Sequence, residues 1–334
     1  MPAEWEPHEA CLMEWPTRGS LWKKYFDRAK SDYAEVARAI AAFQPLVMVC
    51  DPGNEAEVRN LCGSGVEPLA VPIDDSWMRD NGPIFVVDGP GEVALVHFRF
   101  NGWGDKFLPY DLDAAVPERL ASHFGIRRYV APMVLEGGSF FVDGEGTLIT
   151  TEQCLLNPNR NPQMSREEIE ECLREYLGVV KVVWLGYGEI EDRDTDGHID
   201  GVAQYVAPGR IILSVPSDPA DPDHEGHEDN LRRLRAARDA GGREFDVVVF
   251  EPGPRGIISY LNLYLPNGGA VVPVGHVPQD EAALEQIRAA FPDREVVPVP
   301  GECLSVPGGG GPHCITQQVP AGAGVASQAS PPAG

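Results

Sequence analysis

A cysteine near the end of the chain has neighbours that suit a nucleophile. Cys314 closes the segment GGGGPHC, in which Gly308 to Gly311 form an uninterrupted run. Such a run is costly to order, so it is expected where the backbone must approach a ligand closely or offer it N–H groups. A reactive cysteine acts as a thiolate, and His313 is not expected to be its base, because adjacent side chains of a strand point to opposite faces. The alternative to a nucleophile is a buried structural cysteine.

An acidic segment with one histidine could supply proton transfer. The string DRDTDGHID, from Asp192 to Asp200, contains four carboxylates around His198. The H-x-D pair places His198 and Asp200 on the same side of an extended segment. The histidine could then act as a general acid and base, and Asp200 could hold a cation. A divalent metal site remains an alternative, since Asp and His are also metal ligands, and so does a solvated acidic loop.

Two further segments set a carboxylate beside a turn. DDSWMRDNGP contains Trp77 and Asp80, a combination that suits a planar cation such as guanidinium through bidentate hydrogen bonds and a cation–π contact. LEGGSF places Glu136 before two glycines, where a lone carboxylate is expensive to bury. In both cases the simpler alternative is an ordinary turn.

Composition narrows the possible partners. The 334 residues carry a net charge of −24, which argues against nucleic-acid binding and favours cationic small molecules. No apolar run approaches the roughly 18 residues of a membrane span, and the first residues lack a secretory signal pattern. The seven cysteines are scattered without a C-x-x-C pair, which predicts a reducing cytoplasm and no zinc finger. A nucleophile elbow, a Walker loop and a dinucleotide fingerprint are all absent from the sequence.

The hydrophobic pattern predicts an α/β protein with internal repeats. Helices are expected over Trp22–Phe43, over REEIEECLREYLG with Gly178 as its C-cap, and over DEAALEQIRAAF, with short strands between them. Polar motifs followed by a strand, a glycine turn and a second strand recur at a spacing of roughly 60 residues. Their leading residues are Asp80, Glu136, His198, Asn262 and Cys314.

The pattern also divides the chain. Residues 1–320 are predicted to form one catalytic domain, and residues 321–334 a low-complexity, disordered tail. The Pro- and Asp-rich residues 218–229 are interpreted as a surface loop that includes the string HEGHE. The histidines of that string do not have the spacing of a zinc protease motif.

Taken in order, several stretches resemble the agmatine deiminase family, the Porphyromonas-type peptidylarginine deiminase group of the guanidine-modifying pentein superfamily. They are EWEPHEACLMEWPTR, DDSWMRDNGPIFVV, FNGWGDK, LEGGSFFVDGEGTLITTEQCLLNPNRNP, DTDGHID, YLNLYLPNGG and GGGGPHCITQQVP. They extend from Trp5 to Pro320. The resemblance implies a five-bladed α/β propeller of ββαβ-type units.

The resemblance also implies roles for individual residues. Cys314 would be the nucleophile that forms an amidino-cysteine intermediate, with His198 as general acid and base and Glu136 as a supporting carboxylate. The substrate-binding residues would be Asp80 and Asp200, which hold the guanidinium, together with Trp77 and Asp194. Gly201 departs from the family pattern, because many agmatine deiminases carry Asn or another polar residue there. That departure concerns the contacts at the far end of the substrate.

The expected reaction is hydrolysis of agmatine to N-carbamoylputrescine and ammonia, without a metal or cofactor. A deiminase or amidinotransferase acting on arginine, peptidylarginine or another guanidine is an alternative of the same fold. Free arginine would require a cationic group for its α-carboxylate, which the strongly acidic composition disfavours. A metal-dependent ureohydrolase and a non-catalytic binding protein are the alternatives from other classes. The expected partner is a cationic guanidine, with no nucleic acid or membrane, and a homo-oligomer is left open.

Overall fold

Short strands and helices alternate along the chain in the computed structural model, which describes residues 1–89, 91–256 and 258–325. The strands are β1 (His8–Glu14), β2 (Leu46–Cys50), β3 (Val66–Ala70), β4 (Ile84–Val87), β5 (Val93–Arg99), β6 (Arg127–Val134), β7 (Phe140–Val142), β8 (Thr147–Thr151), β9 (Lys181–Leu185), β10 (Ala203–Ala207), β11 (Arg210–Ser214), β12 (Asp246–Phe250), β13 (Gly269–Val274), β14 (Glu295–Pro300) and β15 (Thr316–Pro320).

The helices lie mostly in the connections between parallel strands. They are α1 (Gly19–Trp22), α2 (Phe26–Ala41), α3 (Glu55–Cys62), α4 (Met78–Asn81), α5 (Gly102–Asp105), α6 (Asp111–Ala114), α7 (Val116–Phe124), α8 (Glu152–Leu155), α9 (Arg166–Leu177), α10 (His224–Ala236), α11 (Asp280–Ala290) and α12 (Glu302–Ser305), with 3₁₀ turns at Lys23–Tyr25 and Gly137–Ser139. Among the described residues, no helix is both long enough and apolar enough to cross a membrane.

One pairing pattern recurs in the sheets. Among the described residues there are five, with the strand orders β15-β1-β2-β3, β4-β5-β6, β7-β8-β9, β10-β11-β12 and β13-β14. In three of them an antiparallel hairpin is followed, through a helical connection, by a parallel third strand. β13 has the same antiparallel neighbour in reduced form, an isolated bridge between Tyr264 and Val271. The mixed α/β class is therefore confirmed, and the repeated pattern has the spacing expected from the sequence.

The first sheet joins the two ends of the described chain. β1 pairs antiparallel with β15 and parallel with β2, so the strand that follows Cys314 is held by the N-terminal strand. All five residues of β15 are buried. This pairing fixes the end of the segment that carries Cys314.

Local sequence accounts well for the longer helices. Ser165 accepts a hydrogen bond from the N–H of Glu168, whose side chain accepts one from the Ser165 N–H, and this capping box starts α9. Ile169, Leu173 and Leu177 recur at helical spacing and are buried. Gly178 ends the helix in the left-handed conformation. Within the described residues, the buried hydrophobic side chains form five clusters, and each cluster combines residues from more than one sheet.

Two predicted segments differ in the structure. The helix expected over Trp22–Phe43 is broken by the 3₁₀ turn, so its regular part is Phe26–Ala41. Residues 218–229 are only partly a loop, because α10 begins at His224. His227 is buried there against the carbonyl of Gly188, since its place on α10 faces inward. Of the predicted tail, residues 326–334 lie outside the described residues, and the single-domain assignment stays a prediction.

Candidate active site

The polar motifs occupy equivalent places in the repeated units. Asp80 lies on α4 before β4, and Glu136 lies before the 3₁₀ turn that leads into β7. His198 and Asp200 lie just before β10. Cys314 lies in the turn before β15. Because each unit begins with its polar motif, the repeat brings residues that are far apart in sequence to one place.

The sulfur of Cys314 lies between an amide and a carboxylate. Asn262 donates from Nδ2 to Cys314 Sγ at 3.0 Å, and the nearest oxygen of Asp200 is 3.3 Å from the sulfur. Burial, reinforced by the charges of Asp200 and Asp80, raises the pKa of the Cys314 thiol well above its usual value. The thiol is therefore protonated at neutral pH until a positive charge enters the site.

The glycine run allows the backbone to pass close to this sulfur. A Cβ on Gly310 would lie 2.7 Å from the ring of Trp77 and 3.0 Å from Cys314 Sγ, which is too close for any side chain. The run thus leaves a flat surface between an indole ring and the sulfur, although Cys314 itself lies in a turn rather than in the expected strand. This is the close approach that the sequence predicted for the glycines.

Asp80, Asp200 and His198 all lie against Gly138. A Cβ on Gly138 would lie 2.8 Å from Asp80 Oδ1, 3.0 Å from Asp200 Oδ2 and 2.6 Å from His198 Nδ1. Only glycine fits at the point where two carboxylates and the histidine meet. The Gly138 N–H donates to Asp80 Oδ1 at 3.0 Å and Trp103 Nε1 donates to Asp80 Oδ2 at 2.9 Å.

The two carboxylates differ in acidity. Burial and the negative charges of Asp200 and Glu136 raise the pKa of Asp80 to about 6, despite the opposing effect of His198. The pKa of Asp200 is lowered although the residue is buried, because His313 Nδ1 lies 2.9 Å from its Oδ2. Asp200 is therefore ionised in the free protein. A bound cation would lower the raised pKa of Asp80 and so favour its ionised form.

His198 is buried, and within the described residues neither ring nitrogen has a hydrogen-bond partner at normal geometry. Its Nδ1 lies 3.8 Å from Asp80 Oδ1, and its ring lines the main cavity. Burial disfavours the imidazolium, but Asp80, the neighbouring Cys154 and Asp200 outweigh it and raise the pKa of His198 well above the usual value. His198 is thus a charged group that faces the cavity and can give up a proton there.

Glu136 has a buried cation behind it. Arg160 Nε donates to Glu136 Oε1 at 2.6 Å, and both side chains are fully buried. Among the residues that the structure describes, Glu136 Oε2 has no hydrogen-bond partner. Arg160 also donates to Asp196 Oδ2 at 2.8 Å, so it ties Glu136 to the loop that carries His198. One oxygen of Glu136 is therefore fixed and the other remains free.

The two remaining predicted residues lie towards the opening of the site. Trp77 is buried and stacks on Trp22 with ring centroids 6.1 Å apart. Asp194 is exposed, and its Oδ2 would lie 3.0 Å from a Cβ on Gly309. A cavity of about 430 Å³ is lined by Asp194, His198, Asp200 and Cys314, and a narrower one beside it by Trp77, Asp80 and Cys314. The structure thus brings all seven predicted residues to one centre, with Asp194 at its rim.

Sequence reasoning missed several residues that shape the site. Asn262 heads one of the sequence repeats, but its residue type alone indicates no function. Arg160 lies in the stretch LNPNRNP, which carries no recognisable catalytic signal. Trp103 lies in FNGWGDK, and no short-range signal linked it to Asp80. The repeat pattern could have identified Asn262, since it stands where the other motifs carry their functional residue.

The acids of the 192–196 segment do not form the metal-ligand set that their spacing allowed. Asp192 accepts hydrogen bonds from the backbone N–H groups of Asp194, Thr195 and Gly197, and so shapes its own loop. Within the described ranges, the only group of three potential ligands that could share an ion is Glu136, Cys154 and His198. Arg160 already occupies one oxygen of Glu136. The fit to a cation held there is therefore poor, and we assign no metal.

Nearly the whole chain matches one protein family. Residues 1–320 match the model of the Porphyromonas-type peptidyl-arginine deiminases. The chain belongs to this family. Among its relatives, an agmatine deiminase of Pseudomonas aeruginosa is 40% identical over 352 residues, covering 96% of this chain and 95% of that protein. An agmatine deiminase of Medicago truncatula is 38% identical over 359 residues, covering 96% of each.

A solved structure of this family extends the similarity to the fold. The agmatine deiminase of Enterococcus faecalis superposes with a TM-score of 0.92 at 36% identity, covering 96% of this chain and 95% of that one. Because the superposition covers 96% of this chain, it includes nearly all of the strands and helices between β1 and β15. The family member described here therefore has the fold of a known deiminase.

Proposed function

We propose that this chain is an agmatine deiminase, which hydrolyses agmatine to N-carbamoylputrescine and ammonia through a covalent intermediate on Cys314. The observation that carries the proposal is the arrangement around Gly138. Two carboxylates and His198 surround one glycine, and the Cys314 sulfur lies 3.3 Å from one of those carboxylates. A planar cation on this surface would lie against the nucleophile and the proton donor together.

The first step is binding of the guanidinium group. Asp80 and Asp200 offer carboxylate oxygens on two sides, which matches the two N–H edges of a planar guanidinium. Binding brings a positive charge next to the buried thiol of Cys314 and relieves the repulsion that raises the pKa of that thiol. The substrate therefore helps to form the thiolate that attacks it. The thiol proton, which is donated towards Asp200 Oδ2 at rest, passes to water in the cavity, and Asn262 Nδ2 donates to the sulfur.

The second step forms the carbon–sulfur bond. Guanidinium is a poor electrophile because resonance spreads its charge, so fixing its central carbon beside the sulfur contributes several kcal/mol, about what good positioning supplies. Cys314 attacks that carbon and a tetrahedral species forms. The His198 imidazolium gives its proton to the terminal amine, and the carbon–nitrogen bond breaks with release of ammonia.

The third step hydrolyses the amidino-cysteine. His198, now neutral, takes a proton from a water molecule that attacks the same carbon. The tetrahedral species collapses, the carbon–sulfur bond breaks and the Cys314 thiolate leaves. The thiolate takes up the proton of the hydroxyl group, which gives the neutral carbamoyl product and restores the resting thiol. Glu136, with one free oxygen and Arg160 behind it, supports the charged histidine during both transfers. No step in this sequence requires a metal or cofactor.

The charges around the cavity favour an amine tail over an amino-acid head. Its lining includes the carboxylates of Glu189, Glu191, Asp192, Asp194 and Asp200, against the cations of Arg193 and Arg255. Arg255 is already paired with Glu191 and Asp223. The α-carboxylate of free arginine would enter an acidic surrounding, whereas the ammonium of agmatine would be attracted to it.

We further propose a five-bladed propeller, a cytoplasmic location and a small cationic guanidine as the main partner. The recurring strand pattern of the sheets supports the propeller. The seven free cysteines support a reducing compartment. Assembly into a homo-oligomer stays a prediction from the sequence.

The test is a product assay on the purified protein with agmatine, arginine and a blocked arginine peptide. Mass spectrometry distinguishes loss of ammonia from release of urea, and an added amine acceptor reveals amidino transfer. We expect carbamoylputrescine and ammonia from agmatine alone, lost in Cys314→Ala and retained with a chelator. Release of urea, sensitivity to the chelator or an active alanine variant would overturn the cysteine mechanism.

A further inference from the structure

Two cavities meet at Gly201, beyond the guanidinium-binding carboxylates. The main cavity of about 430 Å³ shares Glu189, Gly201, Ile258 and Ser259 with a second cavity of about 130 Å³. The second one extends towards Asp223 and His227. Gly201 directly follows Asp200, whose carboxylate lies beside the Cys314 sulfur. The wall that the two cavities share therefore begins at the residue next to Asp200, the carboxylate proposed to bind the guanidinium.

Gly201 leaves this wall open. A Cβ at that position would lie 2.8 Å from Ser259 Oγ and 3.5 Å from Glu189 Oε1. The hydroxyl of Ser259 donates to the Gly201 carbonyl at 2.8 Å. Any side chain at residue 201 would clash with Ser259 and contact the Glu189 carboxylate at the wall of the substrate cavity, which both Gly201 and Glu189 line. With glycine there, the carboxylate faces the cavity.

Glu189 is a carboxylate that forms no ion pair within the part of the chain that the structure describes. Arg255, which lines both cavities, is bonded to Glu191 at 2.9 Å and to Asp223 at 3.0 Å. Burial and the charges of Asp223 and Asp192 raise the pKa of Glu189 to about 7, against the smaller opposing effects of the Ser259 hydroxyl and the Arg255 charge. An ammonium group bound beside this carboxylate would offset that cost.

We propose that Glu189 is a specificity-determining residue that binds the distal ammonium of the substrate, in addition to Asp194 at the rim. This inference rests on the proposed deiminase function. The two carboxylates differ in their surroundings: Asp194 is exposed, whereas Glu189 lies partly buried at the passage between the cavities. A charge pair that is shielded from water contributes more to binding than an exposed one, so Glu189 contributes the larger share of tail recognition.

The experiment compares two substrates that differ only in tail charge. Agmatine carries an ammonium at the end of its four-carbon chain, and n-pentylguanidine carries a methyl group in the place of that ammonium. The measured quantity is the ratio of kcat/KM for agmatine to that for pentylguanidine. In Glu189→Gln we expect this ratio to fall by about 10- to 100-fold, the value of one hydrogen-bonded charge contact, mainly through KM for agmatine.

Two matched variants separate a specific contact from general electrostatics. Glu285→Gln removes one negative charge from the exposed face of α11 and is expected to leave the ratio unchanged. Asp194→Asn tests the other carboxylate and is expected to lower the ratio less than Glu189→Gln does. The proposal is overturned if Glu189→Gln lowers kcat/KM equally for both guanidines, or if only Asp194→Asn changes the ratio.

The same data show whether a failure lies in this inference or in the proposed function. If the unmodified protein deiminates neither guanidine, or if Cys314→Ala keeps its activity, the deiminase function itself fails. If the unmodified protein deiminates agmatine and the ratio is the same in Glu189→Gln, only the role of Glu189 fails. Thermal melting of each variant identifies a loss that comes from unfolding.

Discussion

Two buried histidines lie near Asp200, and their surroundings differ sharply. His313 is completely buried, with Nδ1 2.9 Å from Asp200 Oδ2 and Nε2 2.9 Å from Glu4 Oε2. His198 is also buried, but among the described residues neither of its ring nitrogens has a hydrogen-bond partner, and its ring lines the substrate cavity. Nearby carboxylates raise the pKa of both against the effect of burial.

The comparison shows that charge alone does not define a catalytic histidine. Both imidazoles are charged at neutral pH, but His313 has committed both N–H groups to carboxylates. A proton held on both sides in this way stabilises the fold and cannot be passed to a substrate. His198 is charged and faces the substrate cavity, and its N–H groups are not held by carboxylates at hydrogen-bond distance in the described residues, which is what proton transfer to a substrate requires.

The largest expected effect is the loss of activity when His198 is replaced. His198→Asn should lower kcat for agmatine by about 10³-fold or more, because general acid–base catalysis of both half-reactions is lost. The melting temperature should fall as well, because the charged ring offsets the repulsion between Asp80 and Asp200, so activity is compared at a temperature at which the variant is folded. Steady-state kinetics and calorimetry on the same preparation measure the two quantities. A variant that keeps more than a tenth of the activity would remove His198 from the mechanism.

Replacing His313 should lower the free energy of unfolding. His313→Asn leaves Glu4 and Asp200 buried without their shared cation, which should cost about 3 kcal/mol of unfolding free energy. The pKa of Glu4 is lowered to about 2, so its contribution is present above the unfolded value and is lost as the pH falls towards 2. Urea unfolding at neutral and acidic pH measures both. The double variant with Glu4→Gln is the control, and equal stability of the single variant and the unmodified protein would contradict this account.

A smaller effect is expected from the cation behind Glu136. Arg160→Lys keeps the charge but loses the fork that joins Glu136 to Asp196, so kcat should fall by about tenfold. The exposed pair of Arg174 with Glu170 offers a control, because Arg174→Lys alters a similar contact far from the site. If the two lysine variants behave alike in kcat and KM, Arg160 does not position Glu136.

The smallest effect concerns the acid side of the pH profile. Because the pKa of Asp80 is about 6 and guanidinium binding needs the ionised carboxylate, kcat/KM should fall as the pH drops through about 6. Trp103→Phe removes the N–H donor that stabilises the ionised form, so the pKa of Asp80 should rise and the acid limb should move to higher pH. A shift to lower pH, or none, would show that Asp80 does not control this limb.

Much of this site could be predicted from the sequence, for physical reasons that are specific to each residue. Cys314, His198 and Glu136 stand in short motifs in which glycines mark close backbone approach, and such motifs are local. The strands and α9 were predictable because hydrophobic spacing and capping residues are also local. The resemblance to a family added the order of the motifs and therefore their roles.

The unpredicted part depends on contacts between distant residues. Glu4 and His313 are in contact although 309 positions separate them in the sequence. Trp103 donates to Asp80, 23 positions away, from a turn in which Trp103 itself has a positive φ. No spacing rule links such pairs. His227 was misplaced at the surface because the acidic residues around it resemble a loop, whereas α10 turns its ring towards the interior.

The most direct test of the central claim is rapid-quench mass spectrometry of the unmodified protein mixed with agmatine. The account predicts a transient adduct with the mass of agmatine less ammonia, located on the peptide that contains Cys314. The adduct should decay at the rate at which carbamoylputrescine appears, and it should be absent in Cys314→Ala. Turnover of agmatine without any adduct on Cys314, or an adduct on another cysteine that decays at the catalytic rate, would contradict the account.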